Sequence, residues 1–423
     1  MKMYTTKDII GQSIPRLDGE LQVTGQSLYG ADIHMPDMLH CKIKYSDRAH
    51  AKILRLDVSK AEALPGVAAV VTAKDLHYNL FGMFAKDQQF FVTDIARQFS
   101  DIIAAVAAET EAIAEEAVKL IEIDYEDLPI VNCPEEAMHD DAYKIHGGDT
   151  NIAFHRYIAT GNVEEGFADA DMVIKQDFST PGIEQAPIET HAAIAYVEKS
   201  SGDLIIRSSM QKPFELTSGL AAAINWPISK VRTITSAIGG GFGGKNDLTL
   251  EPSIALLTIK TGRPVKCDWT REEEFNASSV RHAYRIHYMT GVKKDGTILA
   301  RQVRIVSNCG PYVTWGASTL AKASIHACGP YNIPNMKVDG YLVYTNSPVG
   351  GAMRGFGVTQ LGFAYEAHTN YCAKQLGMDP IEFRRKNLIS DGSKLPTEMV
   401  MNIVTVGECL DKAIELAKEG GDW

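Results

Sequence analysis

A chain of 423 residues is too long for one ordinary hydrophobic core and points to two or three domains. Apolar residues at 45% against 22% charged mark a folded globular protein rather than a disordered one. A net charge of −11 with no Lys/Arg-rich block excludes a nucleic-acid footprint, and no stretch nears the ~18 apolar residues of a membrane span.

In chain order, residues 1–20 read as an extended lead-in without the apolar core of a secretion signal, so a soluble cytoplasmic protein is expected. Residues 21–131 read as a small α/β unit. Met38–Tyr45 alternates like a strand, Ile103–Ala107 is a short apolar run, Thr110 can cap a helix through about Leu120, and Ile121–Tyr125 alternates again. The polar stretch His139–Asp149, inside a linker set at 132–149, separates this unit from residues 150–423. There, strands are expected at Met172–Phe178, His191–Val197, Leu204–Ser208, Val231–Ala237, Tyr284–Val292 and Thr297–Val303. The last two flank an Asp295-Gly296 hairpin signal. Helical patterns fit Pro213–Ile224, Leu248–Thr261, Gln360–Leu376 and an amphipathic Val406–Lys418 stopped by Gly420. Chain end at such a helix suits either a frayed terminus or a fold continued by another polypeptide.

The seven cysteines are scattered, odd in number and never arranged as CxxC. That argues against a disulfide framework, a zinc ribbon or an iron–sulfur cluster in this chain and leaves buried free thiols. No HExxH, GxSxG or paired-histidine spacing is present, so no metal bound directly by side chains is expected.

The densest signal is Gly239-Gly240-Gly241-Phe242-Gly243-Gly244-Lys245. Glycines at this density allow positive φ and let N–H groups converge on an anion or an oxo group. Two nucleotide motifs overlap it. Gly239-x-Gly241-x-x-Gly244 satisfies the dinucleotide fingerprint, but the acid due roughly 20 residues on has only Asp268 as a candidate. Gly239-x-x-x-x-Gly244-Lys245 mimics a P-loop, but Asn246 stands where Ser or Thr should bind magnesium. A nucleotide-binding module therefore remains the rival from another class. Gln211 lies just before a helix, where a turn or capping role is the plain reading. Met353-Arg354-Gly355-Phe356-Gly357 sets a guanidinium fork and a flat ring between glycines, suited to an oxyanion and a planar ligand.

Taken in order, these motifs resemble the molybdopterin subunit of the xanthine oxidase family. The ordered matches are Arg16-Leu-Asp-Gly, Val23-Thr-Gly-Gln, Tyr29-Gly-Ala-Asp32, Pro65-Gly-Val, Asp124-Tyr-Glu-Asp-Leu-Pro129, Gly239–Lys245, Tyr331-Asn-Ile-Pro-Asn335, Thr345-Asn346, Ala352-Met-Arg-Gly-Phe-Gly357, Asp379-Pro and Arg384-Arg-Lys-Asn387. The resemblance implies an α+β chain: a hammerhead-type α/β domain over 21–131, then the first molybdopterin-binding domain over 150–423. By the same resemblance, Gln211 would hydrogen-bond a molybdenum oxo ligand. Gly241 and Phe242 would offer N–H groups to the metal's oxygens and the pterin. Arg354 would bind near the metal, and Phe356 would stack on a planar substrate.

Departures from the family pattern narrow the substrate. Purine-hydroxylating members carry Glu after the glycine run, where this chain has Asn246, and Arg where it has Lys322. A carboxylate matched to purine N–H groups is gone while a cation remains, which favours a heteroaromatic ring bearing its own carboxylate. The cysteine that holds copper in carbon-monoxide-oxidising members is missing from the 354–357 loop. The family's second molybdopterin-binding domain and its general-base glutamate are expected on a separate subunit, the arrangement of the nicotinate-hydroxylating members from anaerobic bacteria. The expected reaction is nicotinate plus water to 6-hydroxynicotinate, with purine or aldehyde hydroxylation as the alternative within the family. Electrons would pass through two [2Fe-2S] clusters and FAD on further subunits to NADP. The cofactor implied is molybdopterin as its cytosine dinucleotide, with a sulfur or selenium terminal ligand on molybdenum, in a dimer of heterotetramers.

Overall fold

The apolar segments assemble into two main sheets in the computed structural model, which describes residues 10–421. One sheet has seven strands, ordered Val231–Thr235, Leu204–Ser208, Ala192–Val197, Val265–Asp268, Leu39–Tyr45, Ile102–Ala108 and Val67–Thr72. Its centre is the junction of the two halves of the chain. Val265–Asp268 pairs antiparallel with Ala192–Val197 and parallel with Leu39–Tyr45, with Leu39 opposite Val265. Cys41, Ala105, Ile206, Leu257 and Trp269 accordingly share one core. The two parts of the chain therefore share this core, while each also has a core of its own, around Val70 and Val106 in the first and around Ile286 and Val338 in the second.

The helix Glu251–Thr261 covers this sheet. Its first eight residues are all buried, because it packs on strands from both halves. It begins three residues later than the pattern predicts, as Leu250 takes the N-cap and Pro252 the first turn, and it ends at the left-handed Gly262. Pro213–Ile224, Leu204–Ser208 and Tyr284–Val292 form with the expected bounds. Thr110 caps Glu111–Lys119, its hydroxyl accepting the Ile113 N–H at 3.3 Å.

The strand after that helix, Glu122–Asp127, does not return to the sheet it came from. It joins Ala51–Asp57 and Ile95–Ala96 in a separate three-stranded sheet, so the strand–helix–strand unit bridges two layers. The second main sheet is ordered Met172–Thr180, Tyr284–Val292, Ile298–Gly310, Asn335–Tyr344 and Ile152–Thr160. Ile152–Thr160 is an edge strand with four successive exposed residues, which hid it from a period-two reading. Gly316–Ile325, rich in small residues and without a cap, was not predicted either. It lies close on the sheet, where a Cβ on Gly340 would come within 3.0 Å of Leu320 and Ser324.

Three further expectations change. Residues 1–9 of the lead-in lie outside the described residues, and a short helix, Gly19–Val23, interrupts the rest. The 139–149 stretch is docked rather than loose: Ile145 is buried and His146 Nε2 donates to the Pro311 carbonyl at 2.6 Å. Gly420 has φ −73°, and the left-handed turn after Val406–Glu419 falls on Gly421. Five cysteines are buried, Cys133 is partly buried and Cys409 is exposed, all as free thiols. Among the described residues no helix is long and apolar enough to cross a membrane.

Candidate functional site

The glycine run leaves the edge of the seven-stranded sheet after Thr235 and is tied down at both ends by one carboxylate. Glu189 Oε2 accepts the Gly239 N–H at 2.7 Å and the Lys245 ammonium at 2.8 Å, while Oε1 accepts the Gly30 N–H at 3.0 Å. Lys245 is completely buried there. Burial lowers its pKa from the usual lysine value, and the Glu189 contact opposes that fall. Its ammonium faces into the protein instead of toward a ligand, which removes the P-loop reading. Only a single 3-10 turn, Gly244–Asn246, closes the run, and the next α-helix starts at Glu251, so no α-helix N-terminus meets the run and the dinucleotide reading fails as well.

Between these anchors the run folds over Gln211 and zips onto the 350–357 loop. The Gln211 N–H donates to the Lys245 carbonyl at 2.7 Å, and Gln211 Oε1 accepts the Gly243 N–H at 3.0 Å. A Cβ on Gly241 would fall 2.6 Å from that same oxygen, so only glycine fits. Because Oε1 is engaged, the amide presents its NH₂ as the free donor. The N–H groups of Gly241 and Phe242 have no protein acceptor among the described residues. Phe242 stands at φ 49°, and its carbonyl accepts the Arg354 N–H at 2.8 Å. Gly243, at φ 103°, abuts Ala352, whose carbonyl also accepts Gln185 Nε2 at 2.7 Å.

Gln211, Gly241, Phe242, Arg354 and Phe356 are thus gathered by two contiguous loops. Arg354 is exposed, its carbonyl held by Arg281 at 2.8 Å. Phe356, at φ 54°, meets Trp315 at 6.3 Å between ring centroids. Trp315 in turn carries the Lys212 ammonium 5.1 Å from its ring centre. Asn246 opens on a cavity of about 350 Å³ that Trp315, Asp247, Met210, Glu215 and Tyr78 also line. Lys322 is not on that wall. It is exposed on Gly316–Ile325 and makes no ion pair among the described residues, though Thr319 and Ala323 of that helix press on Gly357, next to Phe356.

Sequence reading passed over Glu189, Trp315, Lys212 and Asp247. Glu189 had one available signal, since a lysine ending a buried glycine run needs a carboxylate. Burial pushes the Asp247 carboxyl up to about 6, with the adjacent Ser279 hydroxyl and Trp315 indole opposing the rise.

Two outcomes follow. Glu189→Ala strands a buried ammonium and should cost about 3–5 kcal/mol, read as a lowered denaturation midpoint. Asp247 holds its proton in the folded protein between pH 3.8 and about 6, where the unfolded chain has lost it. Its contribution to stability is therefore full below pH 3.8 and lost as pH rises through about 6, by at most about 3 kcal/mol. Asp247→Asn should shrink the difference between thermal midpoints at pH 4 and pH 7; an unchanged difference would refute the assignment.

Comparison with known proteins agrees with this geometry. The family model of the aldehyde oxidase and xanthine dehydrogenase a/b hammerhead domain matches residues 24–129, and that of the molybdopterin cofactor-binding domain matches 145–388. The chain is 40% identical over 416 residues to the nicotinate dehydrogenase large molybdopterin subunit of Eubacterium barkeri, covering 97% of each. It is also 40% identical over 374 residues to a probable xanthine dehydrogenase subunit of Bacillus subtilis, covering 88% of this chain but 50% of that one. The aldehyde oxidoreductase of Desulfovibrio gigas superposes with a TM-score of 0.92 at 29% identity over 99% of this chain and 48% of its own. The chain thus spans nearly all of one relative and about half of the others. It belongs to the xanthine oxidase family of molybdopterin-binding subunits.

Proposed function

We propose that this chain is the large molybdopterin subunit of a nicotinate dehydrogenase, which converts nicotinate and water to 6-hydroxynicotinate and passes the electrons to NADP. The observation that carries the reading is the paired-loop cradle, in which the Gln211 NH₂ and the Gly241 and Phe242 N–H groups lie close in the fold and have no protein acceptor among the described residues. That donor set fits a group rich in oxo and phosphate oxygens, and the Gln211 amide packs directly against Gly241. When bound, the molybdenum–pterin group supplies a two-electron oxidant that adds a water-derived oxygen to an electron-poor carbon.

The residues of this chain orient and select. Gln211, Gly241 and Phe242 hold the cofactor's oxygens, Arg354 adds a cation beside them, and Phe356, braced edge-on by Trp315, offers a flat face to the ring. Asn246 keeps the cavity wall neutral, and Lys322 receives the substrate carboxylate. The nicotinate reading draws on the Eubacterium barkeri relative, which matches this chain end to end. Equal identity to the Bacillus subtilis protein supports a purine as the second reading. The general-base glutamate, the FAD and the two [2Fe-2S] clusters are assigned to partner subunits, and the pterin is assigned as the cytosine dinucleotide.

Molybdenum and pterin should co-purify with the assembled complex; their absence would overturn the reading. Phe356→Ala should lower kcat/KM for nicotinate by about tenfold, the worth of one aromatic stack. Lys322→Ala should cost nicotinate more than it costs uncharged pyridine analogues. An equal loss would move the carboxylate contact to another cation, and faster turnover of xanthine than of nicotinate would favour the purine reading.

A further inference from the structure

The cavity beside Asn246 and Trp315 has a second way out. Behind its wall lies a chamber of about 40 Å³, room for roughly three waters at about 10–15 Å³ each. Asp247, Leu248, Gln88 and Thr314 line both spaces. On the far side Tyr45, Ser100 and Ala277 line both the chamber and a third hollow of about 210 Å³, whose walls carry Glu272 and Glu273. Three spaces therefore share walls between the cavity beside Asn246 and an acidic surface, with Asp247 at the first boundary and Tyr45 at the second.

The chamber mixes polar and apolar walls, with Phe81, Phe90, Ile102 and Val349 beside Asp247, Ser279 and Tyr45. Four of its lining residues carry a buried polar atom that makes no well-formed hydrogen bond, though they face each other in two pairs: Tyr45 Oη with Trp269 Nε1, and Ser279 Oγ with Asp247 Oδ2. Buried polar atoms in folded proteins are almost always paired, so four around one water-sized space mark a hydrated one. They include a donor-only indole, two hydroxyls able to donate and accept, and a carboxyl, which together can order a file of waters. Tyr45 lies beside Trp269, and Asp247 beside Ser279.

We propose that these spaces form a water-filled, proton-conducting path, with Asp247 as its inner relay and Tyr45 as its outer one. The idea rests on the hydroxylase reading, whose balance is R–H + H₂O → R–OH + 2 H⁺ + 2 e⁻. A C–H bond breaks and a C–O bond forms. The electron pair goes to the molybdenum–pterin group and on to the iron–sulfur and flavin carriers of partner chains. Two protons must leave and one water must enter each cycle. Asp247 takes a proton on its carboxylate and returns it to the chamber water, which hands it past Tyr45 to Glu272 and Glu273.

Other charged groups leave Asp247 free for this. Asp101, also on the chamber, is occupied by the Tyr312 hydroxyl at 2.8 Å and the Arg97 N–H at 2.8 Å. His191 faces Asp247 from the neighbouring strand and favours its ionised form, while Lys86 and Glu215 lie across the cavity. Burial raises the Asp247 carboxyl to about 6, close to the range in which a relay both accepts and releases protons.

The test uses the complex with its partner chains. A crystal structure that orders water should show waters bridging Asp247 Oδ2, Trp269 Nε1 and Tyr45 Oη; direct pairing of those atoms with no water between them overturns the path. Infrared titration should show a carboxylic-acid C=O band lost near pH 6 and missing in Asp247→Asn. An unaltered band in the variant removes Asp247 from the relay. In turnover, Asp247→Asn should lower kcat by about 100-fold with KM for substrate nearly constant, flatten the acid limb and enlarge the solvent isotope effect. Tyr45→Phe should give a smaller loss of the same kind, and a wild-type kcat and pH profile in both variants refutes the proposal. A complex lacking molybdenum would sink the hydroxylase reading alone, since the water and infrared results do not depend on the metal.

Discussion

The Glu189 carboxylate is the constraint on which the site depends. Its two oxygens bind a buried ammonium and two backbone N–H groups from segments far apart in the chain, Gly30 and Gly239. A buried ion pair is a poor source of net stability because desolvation offsets most of the attraction, but it is a sharp specifier of geometry. Here it sets where the glycine run begins and ends. It also closes the Gly30 turn against the strand Ala192–Val197, where a Cβ on Gly30 would strike the Ala192 carbonyl at 2.8 Å. With both ends fixed, the run has little choice but to arch over Gln211.

The two loops that meet there solve the same backbone problem twice. Gly241-Phe242-Gly243 and Gly355-Phe356-Gly357 each place a phenylalanine in the left-handed region, at φ 49° and 54°. That conformation costs an L-residue about 1–2 kcal/mol, and such strain gathers at functional sites. The bond from the Arg354 N–H to the Phe242 carbonyl joins the strained centres, so each loop helps to hold the other in place. The outcome differs at the ring. Phe356 is braced by Trp315, whereas Phe242 is 47% exposed. A braced ring can stack on a small planar substrate; an exposed one is available to the larger cofactor or to a partner chain.

Much of this was legible in the sequence, and what was missed has physical causes. Strands buried on one face, such as Tyr284–Val292, show their period directly. Ile152–Thr160, exposed at a sheet edge, has no such period, and Gly316–Ile325 packs through small residues that carry little helical signal. The glycine run, Gln211 and Arg354-Gly-Phe356 stood out because glycine and aromatic residues in alternation are rare. Their partners did not stand out. Glu189 lies 50 residues from Gly239, Trp315 lies 41 residues from Phe356, and only tertiary structure brings them together. The continuous seven-stranded sheet was hidden for the same reason, since it rests on a parallel pairing between Leu39 and Val265.

The placement of charge sharpens what the site can select. The chain carries −11 overall, which repels an anionic substrate at long range, so any attraction must come from cations close to the rings. Lys245 is not one of them, because Glu189 neutralises it in the interior. Lys212 is shared between Glu215 at 3.4 Å and the Trp315 face. Arg354, Lys322 and Lys86 remain, all exposed and without carboxylate partners among the described residues, and of the three Lys86 lines the cavity beside Asn246. Arg354, fixed by its backbone bonds beside the glycine cradle, is placed for the cofactor's oxygens. Lys322 is exposed on the helix whose Thr319 and Ala323 meet Gly357. An exposed ammonium keeps its water and costs little when unpaired, so of these cations Lys86, on the cavity wall, is the one placed to bias that space toward an anionic ring.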